Sequence, residues 1–288
     1  MTLPDQVLAL VAAALPGQPI ADLKATEGGF SHRTALATIA GRRCLIKAAE
    51  APAKRADVRH EARVLALLRG QGLPAPEPIA LAEGEGWTVG ISAALPGRAG
   101  ISLYAQPELL PQAYRELGRL LARVHAAPLP PPTPALLLAE RARADQAALP
   151  ELGLPPALSA ELDAALAHPA WRPAAPHLVH GDAGLHNLIW DDGAAALVDW
   201  EWSGWGAPAL DLAWVGWTMR WRAVDPGLWD VFLGAYRAAG GAPEAPDPAT
   251  NRALALGQIA GILVRVRDQL PARAEWLRRA HWTLDAFS

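Results

Sequence analysis

The sequence predicts an α+β fold in two lobes. A small lobe at residues 1–95 is built on an antiparallel sheet with one helix, and a larger, mostly helical lobe spans 96–288. Three observations lead there. Strand-like stretches separated by turn signals crowd residues 20–95. Leu95-Pro96-Gly97 then breaks the direction of the chain. From about residue 98 onward, apolar residues recur at helical spacing.

Residues 7–15 form an apolar run that reads as a first amphipathic helix. Asp5 precedes it and no Lys or Arg does, so a targeting segment is not expected. Residues 34–39 and 43–47 read as strands joined by Ala40-Gly41, with Gly28-Gly29 and Ser31 just ahead of the first. Lys47 ends the apolar strand Cys44-Leu45-Ile46. Residues 54–69 read as a helix whose stripe is Val58, Ala62, Leu65 and Leu68. Glu61 sits on that apolar face, three after Val58 and four before Leu65. A carboxylate bound for burial needs a partner, and Lys47 is the candidate. His60 and Arg63 point elsewhere on the helix and are expected to be solvated.

Residues 87–91 read as the last strand of the small lobe. In the larger lobe, residues 107–126 make a strongly amphipathic helix closed by His125, expected to cap carbonyls. A proline-rich connector follows at 128–134, and further helices are expected at 136–148 and 156–167. No internal repeat is present.

The densest chemistry lies in His180-Gly-Asp-Ala-Gly-Leu-His-Asn187, with Asp199 twelve residues beyond. Leu178-Val179 reads as a strand entering this loop, and residues 188–190 and 194–198 as two strands joined at Asp191-Asp192-Gly193. Asn187 and Asp199 are equidistant from Gly193. A hairpin is therefore expected to set them opposite each other, roughly 5 Å apart at Cα. An amide and a carboxylate without a thiolate suit a hard ion with oxygen ligands, so magnesium is expected. Asp182 and Asn187 also fit the D-x-x-x-x-N spacing of a kinase catalytic loop, in which the Asp accepts the proton of an attacking hydroxyl.

The segments LVHGDAGLHNLIW and ALVDWEWSGWGAPALDLAW resemble the aminoglycoside phosphotransferase and choline kinase superfamily, small-molecule kinases with a protein-kinase-like bilobal fold. The resemblance implies an ATP- and Mg²⁺-dependent phosphotransferase acting on a hydroxyl of a small molecule. It implies Asp182 as catalytic base, Asn187 and Asp199 as metal ligands, and His180 and Asp211 as braces of the catalytic loop. In the small lobe it implies that Gly28, Gly29 and Ser31 approach the phosphates, that Glu61 orients Lys47 on the α- and β-phosphates, and that backbone groups near Ala93 and Ala94 meet adenine. Trp200-Glu201 follows Asp199 where protein kinases carry Phe-Gly, which argues against a protein substrate. Glu201 is expected to be a solvated side chain rather than part of the metal shell.

Composition agrees with an enzyme of this kind. At 288 residues the chain can bury roughly three quarters of its unfolded surface. Hydrophobic residues make up 51%, and the net charge of -3 gives no case for nucleic acid or membrane partners. The single cysteine, Cys44, excludes an internal disulfide and fits a reducing cytosol, so a cytoplasmic protein is expected.

The phosphate acceptor is less legible. Seven of the twelve tryptophans fall between Trp200 and Trp229. Trp214, Trp217 and Trp221 share a face of the helix starting near Pro208. With Trp205 they are candidates for an aromatic substrate wall, against the alternative of a packed core stripe. Asp211 lies in the first turn of that helix, where the helix dipole favours a carboxylate. Six arginines, from Arg252 to Arg279, make the C-terminal stretch basic, which weakens a polycationic acceptor; they read as a solvated face. Two rival readings remain: a His177, His180, Asp182 and His186 metal cluster serving a hydrolase, and a catalytically silent nucleotide-binding module.

Overall fold

The computed structural model describes residues 3–26, 32–130, 136–191, 194–241 and 245–287. Gly28, Gly29, Ser31 and the turn residues Asp192 and Gly193 lie outside the described residues. The chain divides into two compact units, one comprising residues 1–102 and 187–203, the other residues 103–186 and 204–288.

The first unit opens with helix α1 (Asp5–Ala14) and continues through β1 (Ile20–Ala25), β2 (Arg33–Ile39), β3 (Arg42–Ala49), helix α2 (Pro52–Gly70), β4 (Pro78–Gly84) and β5 (Trp87–Ala93). The five strands form one sheet in the order β1-β2-β3-β5-β4, antiparallel throughout. Ala40 and Gly41 both take positive φ, 49° and 80°, as a tight hairpin turn matched to strand twist requires. Alternation along β3 decides what each face receives. Cys44, Ile46 and Ala48 join Val7 and Val11 of α1 in the core. Leu45 and Lys47 point the other way, lining a small cavity with Val58, Glu61 and Leu65 of α2.

A second sheet in this unit, ordered β6-β8-β9, joins β6 (Arg98–Ala99), β8 (Leu188–Asp191) and β9 (Ala194–Leu197). Gly97 turns the chain into β6 at φ 103°, and a Cβ there would collide with the Trp190 carbonyl. The hairpin register corrects the expected pairing. Leu188 faces Leu197, and the Val198 N–H donates to the Asn187 carbonyl at 2.9 Å, so Asn187 opposes Val198 rather than Asp199. The pairs from Leu188 and Leu197 to Asp191 and Ala194 are therefore not symmetric about Gly193. A shift of one residue reverses the face of a side chain. Here Asp199 leaves the strand altogether, in the left-handed region at φ 64° and ψ 60°.

Among its described residues the second unit is mostly helical, with a short antiparallel pair β7 (His177–Val179) and β10 (Gly204–Gly206). Its helices are α3 (Leu110–His125), α4 (Leu138–Ala148), α5 (Pro156–Ala167), α6 (Ala209–Trp221), α7 (Gly227–Ala238), α8 (Pro248–Arg265) and α9 (Leu270–Ala286). Residues 107–109 form a 3₁₀ turn that leads into α3. Gly118 lets α3 lie against α7, where any Cβ would strike the Phe232 carbonyl. The C-terminal arginines are not an open cationic face: Arg252 pairs with Glu161, Arg267 with Glu151, and Arg278 and Arg279 with Glu275. Among the described residues, no helix is long and apolar enough to cross a membrane.

Candidate active site

In the first unit the site is built around one lysine. The ε-ammonium of Lys47 lies 2.6 Å from Glu61, 2.6 Å from Asp199 and 3.3 Å from Glu201. Burial works against its charge, but the three carboxylates outweigh burial and hold its pKa well above the usual lysine range. One cation cannot satisfy three anions. Burial pushes the Glu61 carboxyl up, Lys47 pulls it back, and the charges of Asp199 and Glu201 push it up further. Glu201 gains a second partner in His32, 3.0 Å away. Burial opposes its ionisation, but the hydrogen bond from His32 and the charge of Lys47 depress its pKa below the usual carboxylate range.

Glu201 is thus not a solvated side chain but 4% exposed. His60 is not solvated either. Its Nε2 lies 2.9 Å from both the carbonyl and the hydroxyl oxygen of Ser203. Glu61 also accepts the Trp200 backbone N–H at 3.2 Å. Helix α2 is thereby tied at two consecutive residues to the segment following Asp199. Asn187, 7% exposed, immediately precedes β8 in the same unit. At the end of β5, the Ala93 N–H donates to the Glu77 carbonyl at 2.9 Å and the Ala94 N–H to the Arg43 carbonyl at 3.0 Å. Both N–H groups are thus engaged within the first unit.

In the second unit a buried polar network shapes the loop after β7. Asp211, fully buried in the first turn of α6, accepts the backbone N–H of His180 at 2.7 Å and of Gly181 at 2.8 Å. Its Oδ2 lies 3.0 Å from His125 Nε2. Burial penalises the charge, but the His125 hydrogen bond outweighs it, together with the backbone donors, and the Asp211 pKa is lowered. The other nitrogen of His125 meets the Tyr236 hydroxyl at 2.8 Å, so His125 is a member of this network and not a carbonyl cap. His177 Nδ1 reaches the His125 carbonyl at 2.8 Å, and Gln258 donates to the Gly181 carbonyl at 2.6 Å. His180, wholly buried, accepts the Asp182 backbone N–H on its ring at 3.3 Å.

Asp182 projects from this braced loop with its side chain about a quarter exposed, meeting His186 and Trp214 through Oδ1. Of the proposed hydrolase cluster, His177 turns to the His125 carbonyl, the His180 ring takes the Asp182 backbone N–H, and only His186 meets the Asp182 carboxylate. Among the described residues no group of three or more His, Cys, Asp or Glu side chains is arranged to hold a metal ion. The tryptophan stripe is a packed ladder: Trp214 stacks on Trp217 at 4.6 Å, and Trp217 on Trp221 at 5.8 Å. Trp205, Trp214 and Trp217 are buried. Of the four wall candidates only Trp221 keeps appreciable exposure, and Arg278 and Arg279 cover its ring.

Comparisons with known proteins agree with this architecture. The fold matches the crystal structure of a thermostable mutant of aminoglycoside phosphotransferase APH(4)-Ia in ternary complex with AMP-PNP and hygromycin B. There the TM-score is 0.72 at 18% identity, over 98% of each chain. It also matches macrolide 2′-phosphotransferase MphH from Brachybacterium faecium, with a TM-score of 0.62 at 23% identity, over 96% of this chain and 98% of that one. No curated protein sequence is similar enough to count as a relative. Residues 22–254 match the profile of the phosphotransferase enzyme family, and the chain, bearing an acid-bound lysine and a carboxylate on a braced loop, belongs to that family.

Proposed function

We propose that this phosphotransferase moves the γ-phosphoryl group of ATP to a hydroxyl of a small molecule, with Asp182 as base and Lys47, Asn187 and Asp199 serving the Mg-nucleotide. The observation that carries the reading is the excess of buried and half-buried carboxylates on Lys47. Three anions share one ammonium and one imidazole, and their donors are oxygens with no thiolate among them. That composition fits a hard divalent cation and the phosphates it accompanies. Bound there, Mg²⁺ would neutralise the charge that develops on the phosphates during transfer.

The chain's own residues supply the rest. Glu61 holds Lys47 on the α2 side of the sheet, where the ammonium can meet the α- and β-phosphates. Asn187 and Asp199 offer oxygen ligands. Gly28, Gly29 and Ser31 are assigned to the phosphates by the family resemblance alone, and His180 and Asp211 hold the loop that presents Asp182. In the transfer step the acceptor oxygen forms a bond to the γ-phosphorus while the bond to the β–γ bridging oxygen breaks and ADP departs. The hydroxyl proton passes to the Asp182 carboxylate. Positioning and charge stabilisation carry most of the acceleration.

Solved neighbours include complexes with ADP, AMP-PNP and hygromycin B. For this chain the acceptor class is a hydroxylated small molecule, and Cys44, buried without a disulfide, fits a cytoplasmic setting. The test is ADP formation from MgATP across a panel of hydroxylated metabolites and antibiotics. Acceptor-dependent ADP release supports the proposal. Tight MgATP binding without turnover on any acceptor would favour a silent binding module instead.

A further inference from the structure

We propose that Trp214 and His186 are positioning residues that clamp the Asp182 carboxylate by a single oxygen, an inference that rests on Asp182 being the base. The Trp214 indole N–H donates to Asp182 Oδ1 at 2.6 Å, and His186 Nε2 lies 3.1 Å from the same atom. The two donors come from different elements, one from α6 and one from the loop itself. Fixing Oδ1 fixes the plane of the carboxylate, and with it the direction of Oδ2.

Each donor is itself held in place. Trp214 is 3% exposed and lies nearly parallel to Trp217, 7° between planes. The Trp217 N–H donates to the buried Thr283 hydroxyl on α9 at 2.8 Å, and Trp276 of α9 stacks beside both rings. The ladder that fills this part of the core therefore ends in a rigid N–H aimed at a loop carboxylate. On the other side, Gly184 gives the imidazole room. A Cβ at that position would come within 2.6 Å of His186 Cε1 and 2.7 Å of Nδ1. A side chain at 184 would force the ring to shift from this position.

A buried indole N–H needs an acceptor whatever the protein does. The structural alternative is that Asp182 merely satisfies Trp214. The two accounts differ in what happens to turnover. A base displaced by about 1 Å loses on the order of 10²-fold in rate, whereas an indole that only seeks an acceptor leaves the rate untouched.

The test has two arms, both on the full chain. In the first, protein labelled with ¹⁵N at its indoles gives a Trp214 N–H resonance, assigned by its loss in Trp214→Phe. Asp182→Asn should displace that resonance and speed its hydrogen exchange; indifference to Asp182→Asn would overturn the clamp. In the second arm, ADP release from MgATP with water as acceptor is followed. Trp214→Phe and Gly184→Ala should each lower kcat by about 10- to 100-fold while KM for MgATP stays within about twofold. His186→Gln, which keeps a donor, should recover most of the rate that His186→Ala loses. Wild-type kcat in folded Trp214→Phe and His186→Ala would sink the proposal. Absence of turnover in the wild type would instead strike the phosphotransfer reading on which the clamp rests, and the resonance arm would still decide whether Trp214 holds Oδ1.

Discussion

Lys47 lies as close to Asp199, 2.6 Å, as to the helix carboxylate Glu61. The lysine is therefore shared between the strand-to-helix pair and the segment beyond the β8–β9 hairpin. Replacing it with Met removes the ammonium that three acids share, two of which have side chains 13% and 5% exposed. Breaking a buried ion pair from one side costs about 3–5 kcal/mol. Lys47→Met should lose stability of that order in urea unfolding at pH 7.5, together with MgATP binding by calorimetry. Glu61→Gln leaves two acids on the lysine and should cost less. Equal stability of Lys47→Met and wild type would show that the acids do not depend on the ammonium.

In the proposed reaction Asp182 takes the hydroxyl proton while Lys47 serves the nucleotide, so removal of the Asp182 carboxylate should separate chemistry from nucleotide binding. Asp182→Asn keeps the size of the side chain but cannot take up the hydroxyl proton. Turnover should fall by roughly 10²–10⁴-fold, with MgATP affinity within a few-fold of wild type. Wild-type turnover in this variant would remove Asp182 from the role of base.

Asp211 is the hub of the loop after β7, accepting two backbone N–H groups and contacting His125. Asp211→Ala leaves those buried donors without their acceptor. Each unsatisfied group costs about 1–3 kcal/mol, so a loss of several kcal/mol is expected, seen as a lower urea midpoint. The pH dependence has a defined sign. The folded-state pKa is lowered, so the contribution of Asp211 is fully present above the ordinary aspartate value of about 3.9. It is lost as pH falls through the depressed folded value. An Asp211→Ala variant as stable as wild type at pH 7 would contradict the network.

What was legible in the sequence was local. Pro155-Pro156 and the apolar spacing that follows place α5 at Pro156–Ala167, as expected from the sequence. Helical spacing likewise put Glu61 on the buried face, where it meets Lys47. What misled was long-range. His60 finds Ser203 across 143 residues and His125 finds Asp211 across 86, and no local pattern records either pairing. Glu201 looks like any exposed acid until His32 and Lys47 close on it. The one-residue error at Asn187 and Asp199 has a different origin. A hairpin's register depends on whether its centre falls on a residue or between two, and Asp-Asp-Gly allows both. The tryptophan stripe was correctly placed on one helix face, but only the fold shows that Trp214 turns its N–H to Asp182.

Asp145 on α4 provides a test of stability away from the proposed chemistry. Burial pushes its carboxyl up to about 6, against the opposing pull of Arg141 and Arg265. Its folded-state pKa is raised, so between about 4 and 6 the native state binds more protons than the unfolded chain. Stability therefore falls as pH climbs through that window, and the full cost is present above it. Asp145→Asn removes the charge and keeps the shape. The variant should be more stable than wild type by about 1–3 kcal/mol at pH 7.5, on the basis of 1.36 kcal/mol per unit of pKa. At pH 4, where the wild-type carboxyl is protonated in the folded state, the advantage should vanish. Urea unfolding of both proteins at the two pH values measures the difference. An Asn variant that is less stable at pH 7.5 would mean that the two arginines, rather than burial, govern this carboxylate.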